Sequence, residues 1–259
     1  MKISRLEKKK RLYLLELDKK EQLYITEDTI VRFMLTKNKD IDEKELEAIK
    51  TFAQFSYGKN LALYFLSFKL RTEKEVTDYL LKHDIDKTSV SSIIQELKDD
   101  NWLNDQKYSE TLIEQSLKSG DKGPYVLTQK LKQKGLDEKI IAQTIEQYDF
   151  TEVAQKTAQK LLRKHEGRLP VNALKDKITQ ALVTKGFSYA DAKIAFETLT
   201  IEDDDDNDDA LIQNEVEKQY RKYSRRYDGY ELKQKLTQAL VRKGFDYDSI
   251  KTVLRDYLD

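Results

Sequence analysis

Lys218, Arg221, Lys222, Arg225 and Arg226 recur at i, i+3, i+4, i+7 and i+8, a spacing that sets five cations along one helical face. Fifty-eight residues earlier, Lys160, Arg163 and Lys164 occupy the equivalent places, and Lys156 extends that stripe by a turn. Cations repeated on one face break no bonds. They hold anions, either an acidic groove on a protein or a phosphate backbone. The competing explanation is an ordinary solvated face. Tyr220, Tyr223, Tyr227 and Tyr230 interleave with the later stripe and are expected to pack at junctions between helical units. A further basic run, Lys8-Lys9-Lys10-Arg11, precedes an apolar strand and reads as a soluble flank.

Catalysis finds little support. The two histidines, His83 and His165, have no metal-ligand spacing around them, and cysteine is absent. No Walker-type phosphate loop, dinucleotide glycine fingerprint or nucleophile elbow is present. Asp204, Asp206, Asp208 and Glu215 match calcium-loop positions 1, 3, 5 and 12, but Asp209 stands where that loop needs glycine. A linker of like charges is the preferred reading of this stretch. No enzyme, cofactor or metal is expected.

The elements that would carry the stripes are repeated. Residues 177–193, KITQALVTKGFSYADAK, and 235–251, KLTQALVRKGFDYDSIK, share eleven of seventeen positions. Thr128-Gln129, Leu131 and Lys134-Gly135-Leu136 form a fainter copy, and Leu80 and Ile85 one fainter still. The chain thus reads as four helical units keyed on Leu80, Leu131, Leu182 and Leu240. Units this small bury little core alone, so an elongated, curved array of tandem three-helix repeats is expected. The fold class is mainly α, with a small β element at the N-terminus.

Composition agrees. Two prolines, eight glycines and 36% charged residues suit helices. The start, MKISRLEKKKR, lacks an apolar signal region, and no apolar run approaches the roughly 20 residues that span a bilayer. A soluble, cytoplasmic monomer that touches no membrane is expected. The net charge of zero hides an uneven distribution: +4 over 152–201, −7 over 202–209 and +3 over 210–259.

The expected organisation is an N-terminal region at 1–58, repeats at 59–107, 108–150 and 151–201, an acidic linker at 202–209 and a last repeat at 210–259. Leu12–Leu17 and Leu23–Ile25, separated by Asp18-Lys19-Lys20-Glu21, suggest two or three short strands. Thr26 is placed to cap a helix through Met34. A second helix runs from Ile41-Asp42 to about Tyr57, and another covers 61–70. Thr72-Glu73-Lys74-Glu75 has the capping-box pattern before Val76, Tyr79 and Leu80. Helices at 108–118, 124–134 and 137–147 follow. Pro124 and Pro170 stand near helix starts, and Gly135, Gly186 and Gly244 at helix ends.

Ala62-Leu63-Tyr64-Phe65-Leu66, Lys69-Leu70-Arg71-Thr72-Glu73-Lys74-Glu75-Val76 and Leu80-Leu81-Lys82 resemble the opening of the RecX regulatory family. That family shows an Arg-x-Arg-Ser-x-x-Glu pattern there; Lys69 and Thr72 differ but keep the charge and the capping hydroxyl. Trp102-Leu103-Asn104-Asp105, Tyr108-Ser109, Gly123-Pro124 and Lys134-Gly135-Leu136 are similar to its second repeat. The resemblance is specific over about residues 60–150, and the fourth repeat suits a long-form member. It implies a protein that binds RecA, or the RecA filament on single-stranded DNA, and limits filament assembly or activity in DNA repair, recombination and the SOS response. It also implies a cytoplasmic location and no cofactor. The expected partner-binding residues are Lys156, Lys160, Arg163, Lys164, Lys218, Arg221, Lys222, Arg225, Arg226 and, within the family motif, Arg71. Direct contact with DNA is the alternative, as in a stand-alone nucleic-acid-binding helical repeat protein.

Overall fold

In the computed structural model of the chain, residues 1–201 and 205–258 are described, and they form a three-stranded sheet followed by thirteen helices. The sheet is an antiparallel meander, β1 (Ile3–Lys9), β2 (Leu12–Leu17) and β3 (Glu21–Ile25). Pairing of Lys9 with Leu12 leaves Lys10 and Arg11 as a two-residue turn, with Lys10 at φ 56°. Asp18 and Lys19, also at positive φ, turn the chain into β3. Ile3, Leu15, Leu17 and Ile25 face inward and share a core with Leu35, Ile41, Leu46 and Ile49.

Helix α1 (Glu27–Phe33) starts at Thr26, whose hydroxyl accepts from the Thr29 N–H, and ends at left-handed Met34. Helix α2 (Glu43–Leu66) starts at Asp42, whose carboxylate accepts from the Glu45 N–H at 2.7 Å. It corrects the expectation of one helix ending near Tyr57 and another over 61–70. The chain stays helical through Gly58, because that glycine serves close packing and not a break: a Cβ there would lie 2.5 Å from Ile93 Cδ1. One helix therefore serves two cores. Its first half covers the sheet, and its second half packs Ala62 against Val76, Leu80, Ile93 and Leu97 of α3 (Glu73–Lys82) and α4 (Lys87–Asp99).

The remaining helices are α5 (Asp105–Ser119), α6 (Pro124–Gln133), α7 (Glu138–Glu146), α8 (Thr151–His165), α9 (Val171–Thr184), α10 (Tyr189–Glu197), α11 (Asp205–Tyr223), α12 (Gly229–Arg242) and α13 (Tyr247–Leu258). Two compact units result: residues 1–112 with 130–144, and 113–129 with 145–259. In the second, Val153, Ala158, Leu162, Ile178, Leu182, Phe187 and Ala192 unite α8, α9 and α10. Ile212, Val216, Leu236, Leu240, Ile250 and Leu254 unite α11, α12 and α13. The mainly α fold of tandem three-helix repeats with a small N-terminal sheet is as the sequence predicts.

The acidic run behaves differently from a linker over most of its length. Residues 202–204, including the first carboxylate of the calcium-like spacing, lie outside the described residues. From Asp205 the backbone is already helical, which corrects the linker expectation for 205–209.

The Lys-Gly-apolar phrase, read as a helix stop, is also a joint between successive repeats. In the second compact unit, the backbone carbonyls of Lys185 and Gly186 at the end of α9 accept from the N–H groups of Gly123 (2.8 Å) and Tyr125 (3.0 Å) at the start of α6. Unpaired carbonyls of one helix end thus satisfy unpaired donors of another helix start, with the two dipoles head to tail. The Lys185 ammonium closes the joint on Asp121. In the first compact unit, the Thr72 hydroxyl donates to the Lys134 carbonyl at 2.9 Å while Lys134 Nζ reaches Glu75. Gly244 repeats the approach against α9, where a Cβ would come within 2.7 Å of the Ala173 nitrogen.

Candidate partner-binding surface

Helix α8 shows how the sequence sets out a basic face. Asp149 accepts from the Thr151 N–H at 2.8 Å and opens the helix. Val153, Ala154, Thr157, Ala158 and Leu162 are buried, spaced so that one face meets α9 and α10. Lys156, Lys160, Arg163 and Lys164 fall on the remaining face, and all four are exposed. Arg163, Lys164 and His165 also occupy the last turn, where the helix dipole favours cations. Lys156 pairs with Glu152 one turn earlier. Among the described residues, Lys160, Arg163 and Lys164 have no carboxylate partner.

Helix α11 carries its stripe only in part. Lys218, Arg221 and Lys222 stand on it, exposed, but the helix ends at Tyr223, so Arg225 and Arg226 project from the turn that follows. This corrects the reading of five cations on one helical face. Past that turn, Tyr227 packs with Tyr220 and Tyr223 against the core of α11, α12 and α13. Gly229, at φ 46°, then starts α12. Lys218 lies 3.8 Å from Glu215, Arg221 lies 3.3 Å from Glu217, and Lys222 stands 5.1 Å from the Tyr223 ring centre. Arg225 and Arg226 have no carboxylate partner among the described residues.

The interleaved tyrosines divide by role. Tyr220 meets Tyr257 edge to face at 5.4 Å, and Tyr223 and Tyr227 are half-buried beside it, so these three are packing residues. Tyr230 is 81% exposed, which does not suit packing at a junction.

Arg71 belongs to the first compact unit and to a different environment. Its guanidinium lies 4.0 Å from the Phe65 ring centre, and Phe65 stacks in parallel on Tyr79 at 4.1 Å. Arg71 therefore ties the end of α2 to α3, and its Nε is buried without a hydrogen-bond partner.

Three cations escaped the sequence reading. Partial burial and the neighbouring Lys177, Lys164 and Arg168 push the His165 imidazole below its ordinary value. Lys177 and Arg168 thus join the exposed end of α8 and enlarge its positive field. Lys235, at the place equivalent to Lys177, stands 5.5 Å from the Tyr227 ring centre. Both lysines open the duplicated phrase, so the repeat marked them, but only the packing of α9 and α12 brings them to the stripe ends. Among the described residues no helix is long and apolar enough to cross a membrane, and no group of histidine and carboxylate side chains is set to hold a metal.

Three family models match the chain: the first three-helix domain of RecX over 59–97, the second over 104–145 and the third over 206–254. The third-domain match falls on α11–α13, so α8–α10 stand between the second and third matched domains. A regulatory protein RecX from Streptococcus mutans serotype c is 59% identical over 258 residues, spanning the whole of both chains. A regulatory protein RecX from Streptococcus pneumoniae (strain JJA) is 60% identical over 258 residues, again spanning both chains fully. A crystal structure titled as regulatory protein RecX is similar with a TM-score of 0.63 and 30% identity, covering 76% of this chain and 98% of its own. With full-length identity at this level and three matching domain models, the chain belongs to the RecX regulatory protein family.

Proposed function

We propose that this protein restrains the RecA recombinase, docking on the RecA filament formed on single-stranded DNA and limiting its assembly or activity. The observation that carries this reading is full-length identity near 60% to proteins named as regulatory RecX. The exposed cations of α8 and of the α11 end support it, since a filament of protein on a nucleic acid offers both acidic side chains and phosphates. The protein acts by binding and not by catalysis, as a cytoplasmic monomer without a cofactor. Its repeats, divided near residues 59, 108, 151 and 210, each add a modest contact, and their linkage supplies the avidity.

The test is RecA filament growth on single-stranded DNA, followed in real time with the protein at substoichiometric ratio and at several salt concentrations. Inhibition well below one copy per recombinase is expected. The triple variant Arg221→Glu, Lys222→Glu and Arg225→Glu is expected to inhibit about tenfold less well at unchanged helicity, because it reverses three exposed cations. Unchanged inhibition by that variant removes the α11 end from the contact. Inhibition that begins only when the DNA is itself saturated favours the second reading, a nucleic-acid-binding repeat protein acting alone. The unpaired cations Lys160, Arg163 and Lys164 are the observation that keeps this second reading in view.

A further inference from the structure

The basic run at the N-terminus, set aside as a soluble flank, has a partner in the fold. The two-residue turn between β1 and β2 holds Arg11 with its guanidinium 5.8 Å from the ring centre of Tyr64, near the end of α2. Tyr64 meets Phe68 edge to face, with centres 5.0 Å apart and planes at 90°. Both rings stay open to solvent, Tyr64 at 52% and Phe68 at 66% exposure. The contact between them holds both in place, so neither ring must lose much freedom when something covers it. Further cations lie close to these residues in the chain. Lys8, Lys9 and Lys10 are exposed on the hairpin, and Lys69 follows Phe68 directly. The carboxylate nearest in sequence, Glu7, is already occupied by Arg5 and Lys9. Among the described residues, Lys10, Arg11 and Lys69 have no carboxylate partner.

We propose that Tyr64, Phe68 and the Lys8–Arg11 turn form a contact surface for single-stranded nucleic acid, with a base stacked on the open ring faces and phosphates held by Lys10, Arg11 and Lys69. The chemistry selects this occupant. Open aromatic faces beside cations suit unpaired bases, which offer their own faces for stacking, whereas bases in a duplex are already stacked on each other. Tyr64 near the end of α2 and Phe68 just past it are each more than half exposed, which makes a platform and not a socket for a peptide side chain. Stacking and phosphate contact do not read base edges, so binding is indifferent to sequence. This contact is independent of the stripes on α8 and α11 and of whether the partner is a recombinase.

The experiment uses the full-length protein and a fluorescein-labelled oligothymidylate of about 20 nucleotides, followed by anisotropy in the absence of any recombinase. Binding is expected to be tighter than to a duplex of equal length and to weaken steeply with salt. The double variant Tyr64→Ala and Phe68→Ala is expected to weaken it about tenfold or more, the loss of a stacked base. The triple variant Lys9→Glu, Lys10→Glu and Arg11→Glu is expected to flatten its salt dependence. Equal affinity of the double variant and the parent overturns the proposal. So does loss on charge reversal alone, which would mean phosphate contact without stacking. Should the double variant misfold, Phe68→Trp keeps the question open to measurement. Its emission is expected to be quenched by the oligonucleotide relative to the parent, and unchanged emission overturns the proposal. If removal of the rings weakens inhibition of the recombinase but leaves oligonucleotide binding intact, the surface serves a protein partner and the proposal fails while the regulatory reading stands.

Discussion

His165 couples the basic end of α8 to pH. Partial burial and the cations Lys177, Lys164 and Arg168 hold its imidazole below the ordinary value, so it is neutral in the free protein near neutrality. A depressed folded value means that the unfolded chain takes up this proton first. The histidine's contribution to stability is therefore complete above the unfolded value near 6.5 and declines as the pH falls below it. An anionic partner seated on Lys164, Arg168 and Lys177 offsets their repulsion and lets the imidazole protonate. Binding then takes up a proton and tightens as the pH falls. Between about pH 8 and about pH 6, at fixed ionic strength, affinity for the partner is expected to rise several-fold, and His165→Gln to remove that rise while leaving affinity at the upper pH almost unchanged. The same rise in the variant would show that His165 does not face the partner. At this scale the sequence is legible where the interaction is local. Thr72 and Glu75 are three residues apart, and their reciprocal capping box forms as the pattern predicts. Lys134, which joins the same carboxylate from 59 residues away, has no local signature. Together with the Thr72 backbone N–H, and against the opposing effect of burial, it holds Glu75 below its usual value.

The elements are fixed by glycines of two kinds, and substitution separates them. Gly229 has φ +46°, and an added Cβ would meet nothing within 4 Å. Gly186 has φ +95°, and its Cβ would lie 2.5 Å from the backbone nitrogen of Val126, which cannot rotate away. Gly229→Ala is therefore expected to cost only the left-handed backbone strain, about 1 kcal/mol. Gly186→Ala adds overpacking at the α6–α9 joint and is expected to cost about 3 kcal/mol or more. Urea unfolding of the two variants measures the difference, and equal midpoints would show that the joint yields to a methyl group. The sequence pattern marked Gly186 as a helix stop but not the close approach that it allows. Gly58 shows the limit most directly. The sequence pattern ends one helix near Tyr57 and starts another at 61, yet the chain runs through Gly58, where Ile93 of a later helix takes the space. The end of α11 was equally hidden. The cationic spacing continues to Arg226, but the helix ends at Tyr223. Periodicity records which faces can be buried, not where a tertiary contact stops the helix.

Over the whole molecule, the duplication at an offset of 58 was visible because both copies keep the Lys-Gly-Phe phrase and the leucines before it. The division into two compact units was not, because its boundaries pass within α5, α6 and α7 and follow packing rather than composition. Two basic patches on one chain carry a consequence that neither has alone. If α8 and the α11 end engage the same filament, the second contact forms at the high effective concentration set by the chain between them. Charge reversal in α8 (Lys160→Glu, Arg163→Glu and Lys164→Glu) and in the α11 end (Arg221→Glu, Lys222→Glu and Arg225→Glu) should then each weaken inhibition of the recombinase. Each variant keeps one intact patch, so an equimolar mixture supplies both, but on separate chains. Independent contacts would let the mixture regain the inhibition of the parent at equal patch concentration. Linked contacts would leave it weaker by about a hundredfold, the avidity that covalent connection adds. Titration of filament growth with the two variants, singly and mixed, distinguishes these results, and full recovery in the mixture would eliminate linkage between the patches as the source of affinity.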